Sequence, residues 1–106
     1  MGLLAAVPAA AGTSPRLIGT VGFGQITLKN ERGRTIKSVR AGRYSLVVVD
    51  ASPTQNFHTV GKGVDLRTKI AFQGTKIWSV RFRKGTKVKY FSDASRRTLK
   101  GSFTVR

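Results

Sequence analysis

The stretch Lys76-Ile77-Trp78-Ser79-Val80-Arg81-Phe82-Arg83 limits the possible folds most severely, because from Trp78 onward apolar and polar residues alternate. A period of two puts Trp78, Val80 and Phe82 on one face of a strand and the basic residues on the other, whereas a helix would scatter them around its axis. The same period places Val88 and Tyr90, then Phe103 and Val105, on inward faces further along, and Ile26 and Leu28 near the start. Tyr44 to Val49 is β-branched and aromatic, with Tyr44, Leu46 and Val48 on one face and Val47 and Val49 partly covering the other. Leu17–Val21, Arg34–Val39 and Asn56–Val60 complete the expected strands. Gly22-Phe23-Gly24, Asn30–Gly33 and Lys84-Gly85 read as turns, and Asp50–Thr54 and Gly61–Arg67 as loops. Beyond the N-terminal tail no run of ten residues carries a helical apolar period. The expectation is an all-β protein, a β-sandwich of seven to eight short strands.

No fixed-period repeat and no linker divides residues 16–106, so they form one expected domain. Residues 1–15 stand apart. Leu3 to Gly12 is apolar and small, and Ala9-Ala10-Ala11 has the form of a signal-peptidase site, but the first basic residue is Arg16. That tail reads as a signal-peptide remnant or a flexible tail, and the former implies an extracytoplasmic or secreted protein. The apolar stretch is too short to cross a bilayer. Without cysteine the chain has no disulfide, no thiolate ligand and no thiol nucleophile. Gly61-Lys62-Gly63 has no following helix to hold a phosphate, which excludes a dinucleotide or P-loop reading.

The segment Tyr90-Phe91-Ser92-Asp93-Ala94-Ser95-Arg96-Arg97-Thr98-Leu99-Lys100-Gly101-Ser102-Phe103-Thr104-Val105 resembles the C-terminal signature of small cupredoxins of the plastocyanin and azurin class. Further stations agree in order and spacing from Leu17 to Arg106. They include Gly19 to Gly22, Ile26 to Lys29, Ala41 to Tyr44, Asn56-Phe57-His58 and Gly61 to Val64. The resemblance implies a Greek-key sandwich with a metal site at one end. It also implies that Gln55, Ser92, Ser95 and Leu99 occupy the four ligand stations, where the family has His, Cys, His and Met. Blue copper needs two imidazoles, a thiolate and a weak thioether. An amide, two hydroxyls and an alkyl chain supply none of these, so neither copper nor any other cofactor is expected. His58, the one histidine, lies three residues past its nearest station.

Ser92, Asp93 and His58 are the residue types of a hydrolytic triad, yet no nucleophile-elbow motif surrounds Ser92. The expected role of Ser92 is a hydrogen bond to Asn56 that ties two loops together, and no enzymatic activity is expected. Charge supplies the functional lead. Twenty Lys and Arg against four Asp and Glu give a net charge of +16, which attracts polyanions. If Lys84-Gly85 closes a hairpin, Arg81, Arg83, Lys87 and Lys89 share one outward surface with the exposed ring of Phe91. Arg96, Arg97 and Lys100 add charge nearby. These seven are the expected anion-binding residues. The expected partner is an anionic surface or polymer: cell wall, lipid headgroups, polysaccharide or nucleic acid. Two alternatives are an electron-transfer copper protein, which the absent Cys and Met oppose, and a non-specific nucleic-acid binder, for which no reading motif is present.

Overall fold

The computed structural model describes residues 14–106, so all but the end of the expected tail or signal remnant lies outside the described residues. The strands are β1 (Arg16–Gly22), β2 (Gln25–Asn30), β3 (Ser38–Val39), β4 (Gly42–Asp50), β5 (His58–Gly61), β6 (Val64–Arg67), β7 (Gly74–Phe82), β8 (Lys87–Phe91) and β9 (Lys100–Val105). One 3-10 turn, Asp93–Ser95, interrupts the loop between β8 and β9.

The strands form two mixed sheets, one in the order β2-β1-β4-β7 and the other in the order β3-β9-β8-β5-β6. The pairs β1–β4 and β3–β9 are parallel and the rest antiparallel. Both sheets feed one interior. Leu17, Val21, Leu28, Leu46, Val48, Val80 and Phe82 enter it from the first sheet, and Val39, Val64, Val88, Tyr90, Phe103 and Val105 from the second. Phe82 meets Phe103 of the opposite sheet edge-on, with ring centroids 5.2 Å apart. Phe57 lies parallel to Tyr90 at 5.8 Å. A Cβ at Gly19 would fall 2.7 Å from the Phe57 ring, so only glycine lets β1 pass that close. The architecture is all-β and sandwich-like, and the alternation of Val80/Phe82, Val88/Tyr90 and Phe103/Val105 sets the inward faces as expected.

Three expectations are corrected. Lys84-Gly85 closes no hairpin: β7 pairs with β4, whereas β8 pairs with β9 and β5, so this turn carries the chain from one sheet to the other. Gly61–Arg67 is not a loop, because β5 and β6 form a hairpin whose register pairs Gly61 with Val64. Gly63, at φ 76°, supplies the left-handed backbone that such a two-residue turn needs. Arg34–Val39 contributes only Ser38–Val39 and a single bridge between Thr35 and Lys29, consistent with its weak pattern.

Candidate functional site

The loop end of the molecule is tied together by Asn56, which is 1% exposed. Its backbone N–H donates to Ser92 Oγ (3.2 Å), and its Nδ2 donates to the Thr68 carbonyl (3.0 Å) and Asp93 Oδ2 (2.8 Å). Its Oδ1 accepts from the Asp93 backbone N–H at 2.7 Å. Three loops, those before β5, after β6 and after β8, are thus held by one side chain. The expected bond between Ser92 and Asn56 is present. Thr68 extends the network, accepting from the Phe57 N–H (3.0 Å) and donating to Asp50 Oδ2 (3.5 Å).

Ser92 is fully buried, and its hydroxyl donates to Gln55 Oε1 at 2.6 Å. Two of the four residues expected from the resemblance to stand at ligand stations, Gln55 and Ser92, are therefore joined by a hydrogen bond. Ser95 and Leu99 follow on the same loop, where the Leu99 N–H donates to the Ser95 carbonyl at 2.8 Å and the Leu99 side chain is buried in the core. An amide oxygen, two hydroxyls and a leucine do not fit a blue-copper centre. Among the described residues no group of three or more His, Cys, Asp or Glu is placed to hold a metal ion.

His58 is buried and sits between two carboxylates, with Nδ1 2.9 Å from Asp93 Oδ1 and Nε2 2.6 Å from Asp65 Oδ1. Each ring nitrogen thus faces a carboxylate oxygen, which fixes the ring between β6 and the loop after β8. Ser92 turns to Gln55 and Asn56 while His58 turns to the two aspartates, so Ser92, Asp93 and His58 do not form the nucleophile–base contact that a triad requires. Partial burial pushes the Asp93 carboxyl upward, but hydrogen bonds from His58, Asn56 and Arg96, with the charge on His58, outweigh it and hold Asp93 at about 2. Asp50 runs the other way, since burial raises it against hydrogen bonds from Ser52 and Thr68.

A pH dependence follows from Asp93. Its folded-state value lies below the unfolded one, so its contribution to stability is complete above about pH 4 and is lost as pH falls through about 2. Denaturant unfolding between those limits should show stability falling with acid. Asp93→Asn should flatten that fall, and an unchanged pH slope in this variant contradicts the clamp.

The outer face of the second sheet carries a group of basic residues. Register aligns Arg67, His58, Phe91 and Lys100 in one row, and Asp65, Val60, Lys89 and Ser102 in the next. Lys87 faces Thr104 beyond them. Lys87, Lys89, Arg96 and Lys100 line a shallow groove together with Phe91, Gly101 and Ser102. Phe91 is half-buried rather than exposed, because His58 packs 4.8 Å from its ring on one side and the Arg96 guanidinium lies 4.8 Å from its centroid on another. Arg96 also donates to Asp93 Oδ1 at 2.9 Å.

The structure divides the seven expected anion-binding residues. Lys87, Lys89, Arg96 and Lys100 converge, and Arg97 is exposed on the same loop as Arg96. Arg81 and Arg83 do not join them: Arg81 lies on β7 of the other sheet, Arg83 follows the end of that strand, and both line a separate depression with Val64, Asp65 and Leu66 of β6. Arg81 stands directly opposite Arg43 on β4, a like-charge pair that only the β4–β7 register places. Lysines of the convergent face stand opposite hydroxyls instead, Lys89 beside Ser102 and Lys87 beside Thr104. Arg67 belongs to this face and is missed by sequence reading because its strand reads as loop. Asp65 and Thr68 are missed for the same reason, although the alternation Val64-Asp65-Leu66 is a signal for a short strand.

Among protein-family models and curated proteins, nothing matches this chain. Among the described residues no helix is long and apolar enough to cross a membrane.

Proposed function

We propose that this chain is a secreted, basic binding module on a cupredoxin-like, Greek-key scaffold whose blue-copper ligands have been replaced, and that it associates with an anionic polymer or surface. One observation carries the binding reading: Lys87, Lys89, Lys100 and Arg96 surround one groove, while the nearest acids, Asp93 and Asp65, are engaged by His58 and Arg96. The groove therefore presents cations with little compensating negative charge. Supporting the scaffold are two mixed sheets, with the Gln55 and Ser92 stations in hydrogen-bond contact. Binding of the purified chain to heparin and to duplex DNA at low salt tests the function, and a chain that binds neither contradicts it.

The scaffold has its own test. The natural chain should develop no intense thiolate-to-copper absorption when Cu(II) is added. The quadruple change Gln55→His, Ser92→Cys, Ser95→His, Leu99→Met should produce a blue, copper-binding protein, because the loop keeps the family's spacing. Ala94 where the family has Pro, and the positive charge of Arg96 and Arg97, should weaken that binding. A folded quadruple variant without charge-transfer absorption contradicts the ligand register.

A further inference from the structure

The end of the molecule that carries Asn56 also presents two exposed apolar side chains. Parallel pairing of β1 with β4 sets Val21 beside Asp50, so the β1–β2 turn and the loop after Asp50 leave from the same end. The Ala51 N–H donates to the Val21 carbonyl at 2.9 Å and fixes that junction. Antiparallel pairing of Asp50 with Gly74 brings the segment before β7, with Lys69 and Ile70, to this end as well. Phe23 is 91% exposed on the turn and Ile70 43% exposed on the segment before β7. Arg67, Lys69, Ile70 and Arg96 line one depression that reaches Asn56 and Asp93. Arg96 also belongs to the lysine groove, so the basic face runs without a break onto the loop end.

The backbone at Phe23 makes its exposure more telling. Pairing of Gly22 with Gln25 leaves a two-residue turn, Phe23-Gly24, and both residues have positive φ, 51° and 77°. Such turns favour Asn-Gly or Gly-Gly, because a bulky L-residue is strained in the left-handed region. Here a phenyl ring is held in that strained position and projects almost wholly into solvent. It adds nothing to the core.

We propose that this end inserts Phe23, with Ile70 at the same end, into the headgroup boundary of an anionic lipid bilayer while Arg67, Lys69, Arg96 and Arg97 meet the lipid phosphates. This rests on the anionic-partner reading above and narrows it to lipid. A bilayer interface takes up an isolated aromatic ring and attracts the surrounding cations. The acids at this end do not oppose it: Asp50 is buried, and Asp93 is bound by His58 and Arg96.

The test is sedimentation of the full chain with phosphatidylcholine vesicles containing about one-third phosphatidylglycerol, and with phosphatidylcholine alone. The natural chain should sediment with the anionic vesicles only. Phe23→Asn should bind them ~10-fold more weakly, the loss expected when one aromatic side chain is no longer buried. The same variant should elute from heparin at the same salt as the natural chain and unfold ~4 °C higher, because its turn is relaxed. Phe23→Trp should show a blue shift in emission on anionic vesicles that Trp78 alone does not. Equal vesicle binding by Phe23→Asn, or heparin binding without vesicle binding by the natural chain, overturns the lipid proposal and leaves the broader reading standing. A Phe23→Asn defect confined to single-stranded DNA also overturns it, in favour of base stacking. Failure of the natural chain to bind heparin or vesicles removes both readings.

Discussion

Asn56→Ala is expected to destabilise the domain by about 3 kcal/mol, equivalent to a fall of roughly 15 °C in Tm. Truncation removes both donors of Nδ2 and the acceptor Oδ1. The buried Thr68 carbonyl and the Asp93 N–H lose their side-chain partner, and a buried polar group left unpaired costs about 1–3 kcal/mol. Because this one side chain joins three loops, their losses reinforce one another. Asn56→Asp gives a sharper comparison. It keeps the acceptor for the Asp93 N–H but sets a second carboxylate 2.8 Å from Asp93 Oδ2, where the amide now donates. This variant should be at least as unstable as the alanine at neutral pH and should recover partly in acid. Denaturant unfolding of both variants checks this, and a loss below about 1 kcal/mol for Asn56→Ala would mean that water replaces the amide.

The second large effect concerns binding. Affinity for duplex DNA, used as a probe polyanion, should fall ~100-fold between about 50 and 200 mM salt, as expected for roughly four phosphate contacts. The four are Lys87, Lys89, Arg96 and Lys100, which share the groove. The affinity should not depend on base sequence, because phosphate contacts position a protein without reading bases. Arg96 is already engaged with Asp93 and the Phe91 ring, so its guanidinium is held in place before any anion arrives. That ordering lowers the entropy lost on binding. Fluorescence anisotropy across a salt series measures the slope, and a flat salt response contradicts an electrostatic contact.

What could be read in the sequence was what period and local chemistry determine. Val80/Phe82, Val88/Tyr90 and Phe103/Val105 point inward because a strand alternates, whatever sheet it belongs to. Sheet membership is different. Lys84-Gly85 has the composition of a hairpin turn, yet the apolar faces on either side of it meet from opposite sheets, a choice made by the packing of Phe82 on Phe103. That single choice moved Arg81 and Arg83 away from the lysine face. The bond between Ser92 and Asn56 was legible because a loop pairing could be reasoned from the resemblance to cupredoxins. The second carboxylate on His58 was not, since Asp65 approaches only through the β5–β6 register. The strain at Phe23 was equally hidden, because Gly22-Phe23-Gly24 reads as a turn whichever residue carries the positive φ.

The most direct test of the account compares two triple variants of equal charge change on the same probe. Lys87→Gln, Lys89→Gln, Lys100→Gln empties the groove of three of its four cations, whereas Arg43→Gln, Arg81→Gln, Arg83→Gln removes the same charge from residues outside it, on β4, on β7 and just past the end of β7. Salt-dependent binding to duplex DNA is measured for both. The lysine variant should lose roughly three contacts, with the slope of log K against log salt shallower by about 3, and the arginine variant should keep the natural slope. Equal losses in the two variants would show that binding follows net charge alone and would contradict a site on the β8–β9 face.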